Sequence, residues 1–465
     1  MKQLSELQTF FVMWIGQLVS STGTQMTRFA LMIWAYDRTG DATTLALLGF
    51  SAFIFYVTLS PIAGVWVDRL DRRIVLLLAD GCAGISTAIV LLLFTHGTLE
   101  IWHVLIYEAL TGAFDAFQQP AFTAATTMLL TKEQRGRMNG LRTMGWSVTR
   151  VFAPVLGTLA LAAGGLALVI AVDLLTFIAA YSTLLLIRVP KPEPDAADIA
   201  RGDEPRARGA WLRELGEAYR YLRARKGLWY LILLFTCFNA VASLTYFGVF
   251  PTMILARTGG DAGALATVRA VMGIAAVVGG VAATWWVGRI KLIHGVLGCT
   301  AISFLAGDLL MGMSRGVSGW IVAGIVTEFF VPILIASKRT IIQNKVPAAL
   351  QGRVFAFDGM LAEGAIPLGY LLAGPLADRV FEPAMQPGGA LVDVFGGVVG
   401  TGAGAGMGVM YLGTAIIGAS ICVCGYLIPA LRRVETDTPD AIDPVRADEA
   451  ALGLDEAPAV MALGG

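Results

Sequence analysis

Apolar residues in this chain come in long unbroken runs, and charges gather in the short gaps between them. From Leu45 to Val67 no charged residue occurs, and from Ile74 to Phe94 only Asp80 does. A helix needs roughly 20 apolar residues to cross a bilayer, and each run reaches that length. The pattern predicts twelve spans, near 8–36, 43–67, 74–95, 101–130, 137–163 and 166–188, then 227–256, 262–287, 294–313, 319–345, 354–380 and 403–430. Lys and Arg resist translocation, so the loops that hold them mark the cytoplasmic side. With both termini inside, 26 of the 34 Lys and Arg fall on that side and four lie outside. The remaining four, Arg28, Arg142, Arg150 and Arg269, sit within spans. The opposite orientation inverts the ratio. The chain is therefore expected to be a multi-pass protein of the cell (inner) membrane with cytoplasmic termini.

The spans fall into two sets. Residues 1–188 form a first half and 227–430 a second, separated by a linker at 189–226 and followed by a tail at 431–465. The linker opens with Pro190-Lys191-Pro192-Glu193-Pro194, too polar and proline-rich to pack. Its end, from Trp211 to Leu222, has apolar residues at helical spacing with Arg and Glu between them. That suggests a short helix on the cytoplasmic membrane face or a solvated connector. The tail carries eight acidic residues and three arginines and is expected to be disordered. Two echoes point to an internal repeat. Trp66-Val67-Asp68-Arg69-Leu70 returns as Trp286-Val287-Gly288-Arg289-Ile290 after 220 residues, and Gly136-Arg137 as Gly352-Arg353 after 216.

Composition agrees with a membrane protein. The chain is 56% hydrophobic and 15% charged, with mean hydropathy +0.70, above the apolar share of soluble domains. Zero net charge gives no basic field for nucleic acid. Cys82, Cys237, Cys299, Cys422 and Cys424 all lie in apolar runs and read as small core residues, not a disulfide or metal site. His96, His103 and His294 lie near span ends with no H-E-x-x-H spacing, and no phosphate-binding G-x-x-x-x-G-K-[ST] loop is present. An enzyme, a metal centre or a bound cofactor is not expected. The first apolar run is too long for a cleaved signal and reads as a retained helix.

The hairpin Gly64-Val65-Trp66-Val67-Asp68-Arg69-Leu70-Asp71-Arg72-Arg73 resembles the loop between the second and third helices of major facilitator superfamily transporters, with Asp71 where those usually have Gly. The first span, Trp14-Ile15-Gly16-Gln17-Leu18-Val19-Ser20-Ser21-Thr22-Gly23, is similar to the bacterial drug:proton antiporter branch, which includes macrolide efflux proteins and siderophore exporters. So are Gln119-Pro120-Ala121 and Arg137-Met138-Asn139-Gly140-Leu141. The Gly-rich antiporter signature of the fifth helix is reduced to Ala153-Pro154-Val155-Leu156-Gly157. The resemblance implies an all-α membrane protein with twelve transmembrane helices in two pseudo-repeated six-helix halves. It also implies a monomeric secondary transporter that exchanges protons for a small amphipathic compound by alternating access. A lipid or lysophospholipid flippase, or a membrane sensor that binds without transport, are the alternatives.

In that fold spans 1, 2, 4, 5, 7, 8, 10 and 11 surround a central cavity, and the buried charges Arg28, Glu108, Asp115, Arg142, Arg150, Arg269, Glu328 and Glu363 fall on them. An ionised group at membrane depth costs roughly 2.5–3.5 kcal/mol and needs a partner or a wet cavity. Asp115 is the candidate proton carrier. Glu108 lies seven residues earlier on the same face, and Arg150, on the next helix, is the cation expected to compete with the proton. A permanent Asp–Arg pair that fixes packing is the competing reading. Gln17, Ser21, Thr24 and Arg28 form a polar stripe on the first span, and Asn239, Ser243 and Tyr246 form one on the seventh. Both are expected to contact substrate or water, or to hydrogen-bond between helices. Trp146 offers an aromatic wall or core packing. The resemblance assigns gating to the hairpin of Gly64, Asp68, Arg69, Arg72 and Arg73, with Asp68 facing a helix N-terminus of the other half; topogenic charge alone would also explain Arg69, Arg72 and Arg73. Asp80, Asp173 and Asp308 lie on helices expected to be peripheral and structural.

Overall fold

The structure, a computed structural model, describes residues 6–186 and 210–441. The Pro-rich linker start and the tail beyond residue 441 lie outside the described residues, as do the side chains of Asp68, Arg69 and Arg137. Among the described residues there is no β-strand beyond one isolated bridge between Val287 and Ile290. Inside a bilayer every backbone N–H and C=O must be satisfied within the segment, which turns long apolar runs into helices.

Nine helical stretches among the described residues are long and apolar enough to cross a membrane. The fifth and sixth spans share one of them, because Lys132–Leu186 is a single 55-residue helix bent at Gly164 and Gly165. Gly165 has φ +67°, a left-handed value that a side chain opposes. Two further helices, Glu6–Thr39 and Ile101–Met128, complete the set of twelve. They fall short on apolarity because they carry Gln17, Gln25 and Arg28, and Glu108, Asp115 and Gln118, all of which line an internal cavity. The remaining spans are the second, Ala42–Arg69; third, Arg72–Thr95; seventh, Lys226–Thr258; eighth, Ala262–Trp286; ninth, Leu292–Met313; tenth, Val317–Lys345; eleventh, Ala348–Met385; and twelfth, Ala405–Leu427.

The halves are built alike. The second span packs on the fourth, and the eighth packs on the tenth. In each pair a glycine sits against the partner's main chain, Gly112 against Ala52 and Gly279 against Phe329, where any Cβ would collide with a carbonyl. Small residues permit this approach between membrane helices. The eighth span starts at Asp261, whose carboxylate accepts from Gly263 N at 2.8 Å and Ala264 N at 3.1 Å. The seventh ends at Gly259, in the left-handed conformation usual after a helix.

Two expectations need correction. The seventh span is not one continuous α-helix. Residues Ser243–Phe247 form a π turn, and the α-helix resumes at Phe250 with Pro251 in its first turn. The tail is not disordered from residue 431, since residues up to 441 fold back onto the second half. Glu435 accepts from Leu292 N and Ile293 N at the start of the ninth span, at 3.1 and 2.8 Å. Lys345 reaches Thr438 O at 2.6 Å and Asp440 at 2.7 Å. The segment Ala210–Ala224 is helical as expected, but Ala218 and Leu222 are fully buried against the second half, and Glu217 pairs with Arg353 at 2.8 Å.

The halves meet along the second and eleventh spans and along the fifth and eighth. At the end away from the N-terminus, Asp378 on the eleventh span accepts from Ala42 N at 3.0 Å and from Thr43 N at 2.7 Å. It therefore caps the second span from the opposite half, where negative charge is favoured.

Candidate functional site

Between the halves lies a cavity of about 760 Å³. Its walls near the N-terminal end include Trp14, Phe122, Arg142 and Trp146, all from the first half. Aromatic rings of both halves close its other end, where Phe53, Phe247 and Tyr370 pack with ring centroids 6.0–6.4 Å apart. Gly49 is needed there because Tyr370 occupies the space a Cβ would take.

Two charged networks line this cavity. In the first half, Arg28 binds Glu108 with Nη2–Oε2 at 2.6 Å and Nε–Oε2 at 2.9 Å. The same guanidinium stands 3.8 Å from Asp115. Two carboxylates thus share one cation, and Asp115 is the looser partner. The second network crosses between the halves. Arg150 donates to the Tyr246 hydroxyl at 3.1 Å and lies 3.7 Å from Glu328, while the Tyr246 hydroxyl donates to the buried Glu328 carboxylate. The predicted Arg150–Asp115 pairing is therefore not formed. Asp115 already faces Arg28, and Arg150 reaches over to the seventh and tenth spans instead.

The structure separates the predicted cavity residues into two groups. Gln17, Ser21, Arg28, Trp146, Tyr246, Arg269 and Glu363 line the cavity, together with Glu108, Asp115 and Arg150. Thr24, Asn239, Ser243 and Glu328 do not. Thr24 turns toward Asp173 at 3.2 Å. Asn239 and Ser243 donate to carbonyls of their own helix, Phe235 O at 3.1 Å and Ala240 O at 2.8 Å, and Ser243 packs against Gly369. The π turn takes an extra residue, so the seventh span keeps only Tyr246 of its predicted stripe on the cavity. Gln17 does more than face the cavity. It donates to Asp80 at 2.7 Å, and Gln118 donates to both.

The hairpin expected to gate is described in part. Gly64 faces open space, with no atom near enough to oppose a Cβ. Arg72 donates to Ala124 O at 3.4 Å, and Arg73 to Leu185 O at 2.6 Å. Each thus satisfies a carbonyl near the end of a first-half helix, where cations are favoured. Asp68 and Arg69 lie outside the described side chains.

Sequence reasoning passed over Tyr56 and Tyr370, because isolated tyrosines in apolar runs give no signal. It also passed over Lys338. Lys338 is buried, 2.6 Å from Asp358 and over the Phe235 ring at 3.7 Å. Its position one helical repeat inside the tenth span was the available cue. Among the described residues no cluster of His, Cys, Asp and Glu could hold a metal.

A profile of the Major Facilitator Superfamily matches residues 13–370. The chain belongs to this superfamily. Macrolide efflux protein A of Streptococcus pyogenes is 25% identical over 383 residues, covering 80% of this chain and 90% of that one. Its namesake from Enterococcus faecalis is 25% identical over 338 residues, covering 70% and 98%. Among solved structures, the nucleoside transporter NupG superposes with TM-score 0.67 at 11% identity, over 90% of this chain and 98% of that one. A bacterial homologue of the human lysosomal transporter Spinster, in an inward-facing and unoccupied conformation, gives TM-score 0.65 at 17% identity, over 92% and 98%. The protein is thus a multi-pass membrane transporter of the superfamily, not an enzyme, with its twelve helices in the fold of those neighbours.

Proposed function

We propose that this transporter exports small amphipathic compounds in exchange for protons, by alternating access across the cell membrane with both termini cytoplasmic. The observation that carries this reading is the cavity between the halves. It has aromatic and apolar walls for the body of a substrate and one cation, Arg28, shared by Glu108 and Asp115. A proton taken by Asp115 leaves a neutral Arg28–Glu108 pair, and a proton lost from it restores a net negative site beside the substrate. A transporter couples two ligands only if each binds the two access states unequally. Here Arg150, linked to Glu328 across the halves, gives charge in the cavity a direct hold on that equilibrium. With the termini cytoplasmic, the contact of Asp378 with the second span closes the outer end, and the cavity faces inward. The names of the macrolide efflux relatives favour export and place macrolides first among substrates to try.

Inside-out vesicles holding an acid-inside pH gradient test this directly. Erythromycin, cationic dyes, a siderophore and a lysolipid are added in turn, and gradient collapse is read by fluorescence. Collapse on addition of one class supports proton antiport and export together. If no compound collapses the gradient in vesicles containing verified protein, the export reading falls.

A further inference from the structure

The cavity contains a guanidinium that the charged networks leave over. Arg269, on the eighth span, lines the cavity, and among the described residues it forms no ion pair with a carboxylate. The charged and titratable groups facing it are Tyr246, Tyr370 and Arg150, and Arg150 is itself engaged by Glu328. Its guanidinium carbon lies 6.0 Å from the ring centroids of both Phe29 and Phe250, which is the outer limit of useful cation–π contact. Every other arginine on the cavity has a closer partner. Arg28 has Glu108 at 2.6 Å, Arg150 has Tyr246 at 3.1 Å, and Arg142 has Thr123 at 2.8 Å. A fixed cation held at membrane depth without a counter-charge is costly, and two rings at that distance return little of the cost.

We infer that Arg269 is a docking site for an anionic group, so that the compounds carried by this transporter include amphipathic carboxylates. The planar guanidinium fork matches a carboxylate with two parallel hydrogen bonds. Phe29, Phe250 and Met272, all on the cavity wall, would receive the apolar part of the same molecule. Glu363 also lines the cavity and forms no ion pair among the described residues, so the cavity offers an acidic residue to basic compounds and Arg269 to acidic ones. The inference rests on the proposed transport function only for which compounds are moved; binding at Arg269 is measurable without transport.

The test uses purified full-length protein in nanodiscs, with 1-naphthylacetate and its neutral isostere 1-naphthylacetamide as probes, followed by quenching of the tryptophans on the cavity wall. The wild type is expected to bind the carboxylate at least tenfold more tightly than the amide. Arg269→Gln should erase that preference, and Arg269→Lys should keep only part of it, because a point charge replaces the fork. Thermal melting of each variant establishes that it is folded, and erythromycin binding reports on the rest of the cavity. Equal binding of the two probes by the wild type, absence of binding by either, or a preference that survives in Arg269→Gln would each overturn the inference. A preserved carboxylate preference together with no proton antiport would sink the export reading and leave the anion site standing.

Discussion

Arg28 shows how one side chain can hold the cavity together. Its partner Glu108 has a side chain only 6% exposed, and Arg28 itself is 23% exposed. Removing one member of such a pair strands the other charge in a low-dielectric setting, at a cost of about 3–5 kcal/mol. Arg28→Met should therefore lower the melting temperature of the detergent-solubilised protein sharply. The double variant Arg28→Met/Glu108→Gln should recover most of the loss, since the buried Glu108 charge is then gone and only the more exposed Asp115 is left without its cation. If the single variant melts like the wild type, or the double variant is no better than the single, the pair is not the stabilising contact its geometry suggests. Side chains of this kind were partly legible beforehand. A charge inside an apolar run announces itself, so Arg28, Glu108, Asp115 and Arg269 were found from the sequence. Which charge meets which was not legible, because Arg150 and Glu328 are brought together only by the approach of the two halves.

Helices were the most readable feature, because a membrane permits few alternatives to an apolar helix. Their interruptions were not. The π turn at Ser243–Phe247 leaves no mark in hydropathy, and it removed Asn239 and Ser243 from the cavity. The contact between the second and eleventh spans was equally hidden. Asp378 lies 335 residues from Thr43, yet its carboxylate accepts from that residue's backbone at 2.7 Å and its hydroxyl at 2.5 Å. Gly374, one turn earlier, has the main chain of Thr43 in the space a Cβ would fill. The two residues latch the end of the cavity that aromatic rings already narrow. A carboxylate at a helix N-terminus contributes up to about 2 kcal/mol when partly buried, and each 1.4 kcal/mol or so is a factor of ten. Asp378→Ala should accordingly raise the population opened at that end by about tenfold, and Gly374→Val should raise it further. Spin labels at Arg38 and Thr267 would report the opening as a longer distance. An unchanged distance distribution in both variants would show that the contact follows closure without stabilising it.

On the proposed reading the molecule works by trading one closed end for another, and the proton enters that trade through a group whose charge the two states treat differently. Asp115 meets the requirement better than its neighbours. Glu108 is locked to Arg28 at 2.6 Å, and Glu328 is buried beneath Tyr246, whereas Asp115 stands 3.8 Å from its cation with its side chain 41% exposed to the cavity. A proton can reach it without first breaking a short ion pair. Asp115→Asn fixes the neutral form, so the variant should still exchange substrate down its own gradient but should no longer respond when a pH gradient is imposed. The measurement is paired: substrate counterflow in proteoliposomes at equal pH, then uptake driven by the gradient alone. Retained counterflow with lost pH drive assigns the proton to Asp115. Retained pH drive would reduce Asp115 to a packing partner of Arg28. Loss of both would mean that the carboxylate is needed for substrate exchange itself, and Glu363, a cavity acid outside any ion pair among the described residues, would be the next candidate for the proton.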